Sequence, residues 1–305
     1  MSFAKVSIHS PDGRSQATFM PAKGGLGTSL VMPDPVNSDK TRELLYLPKE
    51  IDLATYPKLG VAWPFCFPIC GRLNRGGKAV YLHNHHLYAL NIHGFAHALP
   101  WEVLLHNDDT LTLGLKASKE TKACYPFEFE VVLSYTVKNG EFLCHQTTIN
   151  HGSEPMPYYS GFHPYFWIDP ARYQKSDVML DCAPLKRIQY NEDLTDVVGE
   201  KKLFSLPIAM TDPDVNESLL LLGEDRSVRL TFPDHSVLEM SVAGLDDPSM
   251  YRYLQLYHIP EQPFFCIEPW MSHPNAMNTP TAVRLLQPGE REHALLTLRL
   301  TKAAG

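Results

Sequence analysis

Four stretches of the chain set ionisable side chains among aromatics: FPICGRLNRGG (67–77), YLHNHHLYALNIHGFAHALPWEV (81–103), YYSGFHPYFWI (158–168) and PFFCIEPW (263–270). In the last, Glu268 closes an apolar run and Pro269 follows at once. If the run is a strand, Glu268 shares a face with Phe264 and Cys266, while Phe265 and Ile267 face the other way. Burial disfavours a charged carboxylate and raises its pKa toward neutrality, which suits a general base. Pro269 is expected to end the strand ladder and hold the carboxylate at the sheet rim. The competing reading is a structural glutamate satisfied by an arginine or backbone amides, or a strand end emerging into water.

In GFHPYF, the proline after His163 removes a backbone donor and restricts His163 to extended conformations. The ring is then presented in a narrow range of directions between Phe162 and Tyr165, a rigidity useful in a proton donor. A hydrogen-bonded core or edge histidine is the alternative. Arg72 and Arg75 lie in a glycine-bounded turn, where a guanidinium fork could grip sugar hydroxyls or a phosphate or simply stand in water. The glycine spacing there fits neither the Walker pattern nor the dinucleotide fingerprint.

His83, His85, His86 and His93 raise a metal reading, since His83 and His85 at i, i+2 share a strand face. The run LYALNIHG supplies no carboxylate before Glu102, however, and a solvated histidine-rich strand or loop competes. Cys66-x3-Cys70 has no second Cys/His pair at zinc-finger distance. The expectation is no metal.

These groups need elements to bring them together, and period-two alternation runs through the sequence. In FEFEVVLSYTVK, Phe127, Phe129, Val131, Leu133, Tyr135 and Val137 fall on one face of a half-buried strand. Asn139-Gly140 then suits a two-residue type I′ turn, with the chain returning through EFLCHQTTI and Lys138 facing Glu141. TLTLGLKAS, SVRLTFPDHSVLEMSV, YRYLQLYHI and ALLTLRLTK alternate similarly. NESLLLLGED supplies a short helical turn at most, and 25 prolines argue against long helices. The fold class is all-β, a large antiparallel β-sandwich forming one domain over 1–305.

Bulk properties narrow the function. With 305 residues, 44% of them hydrophobic, the chain can bury a sizeable core, and a net charge of -7 gives no reason to expect nucleic acid. The start MSFAKVSIHSPDG lacks a signal-peptide pattern, and no segment approaches the roughly 18 apolar residues of a membrane span. A cytoplasmic protein with reduced core thiols is expected from six sparse cysteines. Aromatics beside acids and histidines suit a sugar's apolar ring faces and hydroxyls.

GR (71–72), HGF (93–95) followed by LPWEV, GFHPYF (161–166), and CIEPW (266–270) with PNAMNT after it resemble, in that order, the blocks of the aldose 1-epimerase (galactose mutarotase-like) family. The resemblance runs from about residue 15 to the C-terminus. It implies a supersandwich fold and interconversion of aldose anomers with no cofactor, acting on a small-molecule sugar as a monomer or homodimer. It implies that Glu268 is the general base on the anomeric hydroxyl and His163 the acid at the ring oxygen. His93 and Arg72 are implied to bind and polarise the substrate, and Asp214, in DPDVNES, to hold sugar hydroxyls. A hexose-6-phosphate mutarotase, favoured by Arg72 beside Arg75, and a non-catalytic sugar-binding module on the same fold remain as alternatives.

Overall fold

The computed structural model describes residues 4–48, 61–279 and 281–303 and is built almost wholly of strands. All pairings between its strands are antiparallel (e.g. Phe129–Lys138 with Glu141–Asn150, and Tyr253–Tyr257 with Phe264–Trp270). One large sheet runs in the order Ile208–Ala209, Met179–Cys182, Val228–Thr231, Ser236–Gly244, Arg291–Lys302, Glu141–Asn150, Phe129–Lys138, Thr110–Lys116, Glu102–His106. The second runs Val197–Lys201, Pro184–Tyr190, Ser218–Leu222, Tyr253–Tyr257, Phe264–Trp270, Gly161–Phe162, Phe65–Cys66, and Tyr165–Trp167 also pairs with Phe264–Trp270. Strands from Val6–His9 to Thr41–Glu43 make a smaller sheet of four.

The expected alternation carries the core. Phe127, Phe129, Val131, Leu133, Tyr135 and Val137 are all buried, as are Leu296, Leu298 and Leu300. They share one apolar cluster with Leu254, Leu256 and Ile267 of the second sheet, so the two sheets pack against a common interior. Phe67, just past one edge strand of the second sheet, lies 5.0 Å from the Phe129 ring of the first.

The hairpin forms where expected, and Lys138 pairs with Glu141 across a two-residue turn. Gly140 takes a φ of 73° while Asn139 keeps a negative one, so the turn is not type I′, which needs both positive. NESLLLLGED is also corrected: Ser218–Leu222 is an interior strand. Its run of four leucines is covered on both faces, and such a strand loses the alternation by which strands are read.

Candidate active site

Glu268 is not at a sheet rim. Phe264–Trp270 lies inside the second sheet, buried throughout, and its ladder continues through Pro269 and Trp270, which pair with Leu254 and Tyr253. Phe265 and Ile267 join the main core, while Phe264 and Cys266 join a smaller cluster with Tyr165. This is the two-faced strand the sequence predicts, with Glu268 on the face of Phe264 and Cys266.

On the other side of this strand, Gly161 pairs with Trp270 and Tyr165 with Cys266. Carried across the interval, that register sets Phe162 opposite Pro269, His163 opposite Glu268 and Pro164 opposite Ile267. Both prolines fall in the interval, where neither can donate to a ladder. The His163 amide donates instead to the Pro64 carbonyl of the next strand, at 3.1 Å. Gln255 faces Glu268 from the opposite flank. Directly opposed residues of antiparallel strands share a face, so Gln255, Glu268 and His163 form one row across three strands.

His163 Nε2 stands 3.1 Å from Glu268 Oε2. The direction is wrong for a hydrogen bond: both Glu268 oxygens and His163 Nδ1 are buried without a hydrogen-bond partner. Burial, then the neighbouring Cys66 and Glu217, hold the Glu268 carboxyl well above the usual carboxylate range, against a smaller opposing effect of the Trp270 indole. Burial, helped by His97, pushes the His163 imidazole down to about 3. Burial therefore works against charge on both groups: the carboxyl keeps its proton to higher pH, and the imidazole takes one up only at lower pH, than either does in water.

His93 is tied to the GR turn twice: its amide donates to the Gly71 carbonyl (2.9 Å), and the Gly71 amide donates to His93 Nδ1 (3.1 Å). Burial first, then His163, His97 and Arg72, keep its pKa well below the ordinary histidine value. A neutral ring that accepts at Nδ1 carries its proton on Nε2, so His93 is a hydrogen-bond donor. Its ring packs edge-on against His163 (5.1 Å) and Trp270 (5.8 Å). The glycine of the HG block is required, since Gly94 has a φ of +72° and a Cβ there would lie 2.2 Å from the Phe67 carbonyl oxygen.

These groups open into a cavity of about 310 Å³, at the lower end of the range for small-molecule sites. Arg72, His93, His163, Glu217, Gln255 and Glu268 supply polar groups to its wall, with Trp270 and Tyr257 among its aromatics. Tyr190 donates to Gln255 Oε1 (2.9 Å), and Gln255 Nε2 donates to Glu217 Oε2 (3.1 Å), a chain that holds the second carboxylate in place. Burial raises the Glu217 pKa, and Arg72 opposes it.

A family model described as aldose 1-epimerase matches residues 10–296. The chain belongs to the aldose 1-epimerase family. It is 31% identical over 108 residues to the plasmid protein LacX of Lactococcus lactis subsp. lactis, a match that spans 34% of this chain and 36% of that relative. The fold is that of galactose mutarotase-like proteins. The Slr1438 protein of Synechocystis sp. PCC 6803 superposes with a TM-score of 0.83 at 23% identity, covering 99% of this chain and 97% of that one. A galactose mutarotase-like protein from Lactobacillus casei gives 0.76 at 22%, covering 97% and 100%. A galactose 1-epimerase from Lactobacillus acidophilus NCFM gives 0.72 at 11%, covering 99% and 100%.

In this aldose 1-epimerase family member, Glu268, His163, His93 and Arg72 converge on the cavity and Asp214 does not. Asp214 is two-thirds exposed and paired with Arg187 at 3.0 Å. The carboxylate of DPDVNES that reaches the cavity is Glu217, just before the misread Ser218–Leu222 strand. Arg75 is exposed and outside the cavity wall. His83 pairs with Glu154 (3.3 Å), and His83, His85 and His86 bring together no metal-sized cluster among the described residues. Sequence reasoning missed Gln255, whose one signal is a lone amide between Leu254 and Leu256, and gave no role to Tyr190 or Trp270.

Proposed function

We propose that the protein interconverts the α and β anomers of a free hexose, with Glu268 as the base on the anomeric hydroxyl and His163 as the acid at the ring oxygen. The observation that carries this reading is the 3.1 Å adjacency of His163 and Glu268 in a sugar-sized cavity. The anomeric hydroxyl and the ring oxygen are bonded to one carbon, so the groups serving them must be near neighbours. As the ring opens, Glu268 takes the hydroxyl proton, the C1–O5 bond breaks, and His163 protonates O5. Rotation about C1–C2 presents the other carbonyl face, and closure returns both protons. One proton held between the two groups suffices at each stage: the charged pair acts on the ring form, and the neutral pair, which burial favours, stands beside the open chain.

His93 Nε2–H and Arg72 are the donors suited to oxygens that gain charge as the ring opens, and Glu217, held by Gln255, is suited to accept from sugar hydroxyls. A free sugar fits better than a sugar phosphate. Arg72 is the one arginine or lysine lining the cavity among the described residues, and two acidic side chains, Glu217 and Glu268, stand where a phosphate would need cations. The six cysteines are free thiols, which suits action in a reducing cytoplasm. NMR exchange between anomers of glucose, galactose and glucose 6-phosphate tests the reading. Acceleration of the phosphate alone would replace the free hexose by a hexose 6-phosphate.

A further inference from the structure

Cys266 has no part in the chemistry above, yet it stands on the same strand face as Glu268, two residues before it. Its cross-strand partners are Tyr165 on one side and Tyr257 on the other, and both line the cavity, so the thiol occupies the row of the sheet next to the row of His163 and Glu268. It is fully buried and free. Its sulfur, a ring nitrogen of His163 and a carboxylate oxygen of Glu268 all lie within 4.8 Å of one another. Among the described residues, no other three histidine, cysteine or acidic side chains gather so closely.

Both Glu268 oxygens are buried without a hydrogen-bond partner, a costly state for polar atoms. His163 Nε2, the ring nitrogen that faces them, has only a long 3.5 Å contact with the Tyr165 hydroxyl. Thiolate, imidazole and carboxylate are the ligand types that zinc binds tetrahedrally at about 2.0–2.3 Å, and three protein ligands leave a fourth position open. The thiolate selects against magnesium and calcium.

We propose that His163, Cys266 and Glu268 form a site for a thiophilic divalent cation of the zinc class, which inactivates the protein by occupying its acid and its base. On binding, the Cys266 thiol and any protonated Glu268 carboxyl release their protons to solvent, and neutral His163 offers a ring lone pair. No electron changes hands. The inactivation rests on the anomer-exchange reading of this site; the binding does not.

Cobalt(II) is the probe, titrated into the full chain. The wild-type protein should show a near-ultraviolet thiolate-to-cobalt charge-transfer band with tetrahedral visible bands, displaced by zinc. A Cys66→Ser protein, changed at the cysteine that lines the cavity, should keep the band. Cys266→Ser and Cys266→Ala, two variants so that one that folds decides, should lose it. Cys266→Ser should keep its metal-free exchange rate and need at least about tenfold more zinc for inhibition, since losing even an outer-shell partner costs 10–100-fold in affinity. No band in the wild type, or a band that survives both Cys266 changes, overturns the site, and equal zinc inhibition of wild type and Cys266→Ser overturns the inactivation. Because the band is read without turnover, a protein that shows it but exchanges no anomers would refute the proposed function and leave the site standing.

Discussion

Replacing Glu268 by Gln should make the protein more stable at neutral pH and leave it almost unchanged in mild acid. The glutamate is 1% exposed and neither oxygen has a hydrogen-bond partner. Its folded pKa is held above the ordinary 4.5, so between those two values the folded protein keeps a proton that the unfolded chain releases. Stability is therefore greatest below the ordinary glutamate range and declines as pH rises to the folded pKa. Glutamine does not titrate, so the difference between variant and wild type should be small near pH 4.5 and reach a plateau at higher pH. His163 contributes the opposite slope between its ordinary 6.5 and about 3, but it does so in both proteins and largely cancels. The glutamine amide is left as unpartnered as the protonated carboxyl, so the plateau measures the added cost of the buried charge, taken as about 1–3 kcal/mol, the range for an unsatisfied buried group. At about 2 °C per kcal/mol, the low end for large domains, the plateau corresponds to a Tm gain of roughly 2–6 °C. Thermal unfolding of both proteins from about pH 4.5 to 8.5 provides the measurement. A Glu268→Gln protein less stable than wild type at pH 8, or a difference that does not change with pH, would refute the argument and make Glu268 a satisfied structural residue.

Other outcomes follow from the same geometry. Glu268→Gln and His163→Asn should each lower the anomer-exchange rate by about 10²–10⁴-fold, while equilibrium sugar binding, read by calorimetry, is largely spared; full activity in either would remove that residue from the mechanism. The wild-type rate should fall on the acid side as Glu268 takes up a proton, and this limb should vanish in Glu268→Gln. The Glu217 charge helps to raise the Glu268 pKa, so in Glu217→Gln the acid limb should move to lower pH while KM rises, and an unmoved limb contradicts the coupling. Gly94→Ala, which drives a Cβ toward the Phe67 carbonyl at a φ of +72°, should cost about 1–3 kcal/mol in unfolding experiments and weaken the exchange through His93.

What could be read from the sequence followed its periodicity. The strand Phe129–Lys138 and its return through Glu141–Asn150 are written in alternation, because one side of each residue pair meets the core, whereas the wholly buried Phe264–Trp270 shows its faces only by counting along an assumed strand. Ser218–Leu222 was lost because its four consecutive leucines, three buried and Leu221 half-buried, cover both faces and carry no alternation. Glu217 was lost with it, since its place in the cavity depends on that strand's position, whereas Asp214 three residues earlier is drawn outward by Arg187. Pro269 misled for a different reason. Proline ends a ladder only where its missing donor is needed, and here the facing segment around Pro164 asks for none. Likewise the pairing of His163 with Glu268 follows from a register between segments a hundred residues apart, which no local pattern encodes.

The most direct test of the account is anomer exchange itself, followed by NMR for a panel of free and phosphorylated aldoses with wild-type protein and with Glu268→Gln. The account predicts that wild type accelerates exchange of a free hexose, that the phosphorylated sugar gains less, and that Glu268→Gln loses the acceleration. Exchange no faster with wild-type protein than without it, for every aldose in the panel, would contradict it.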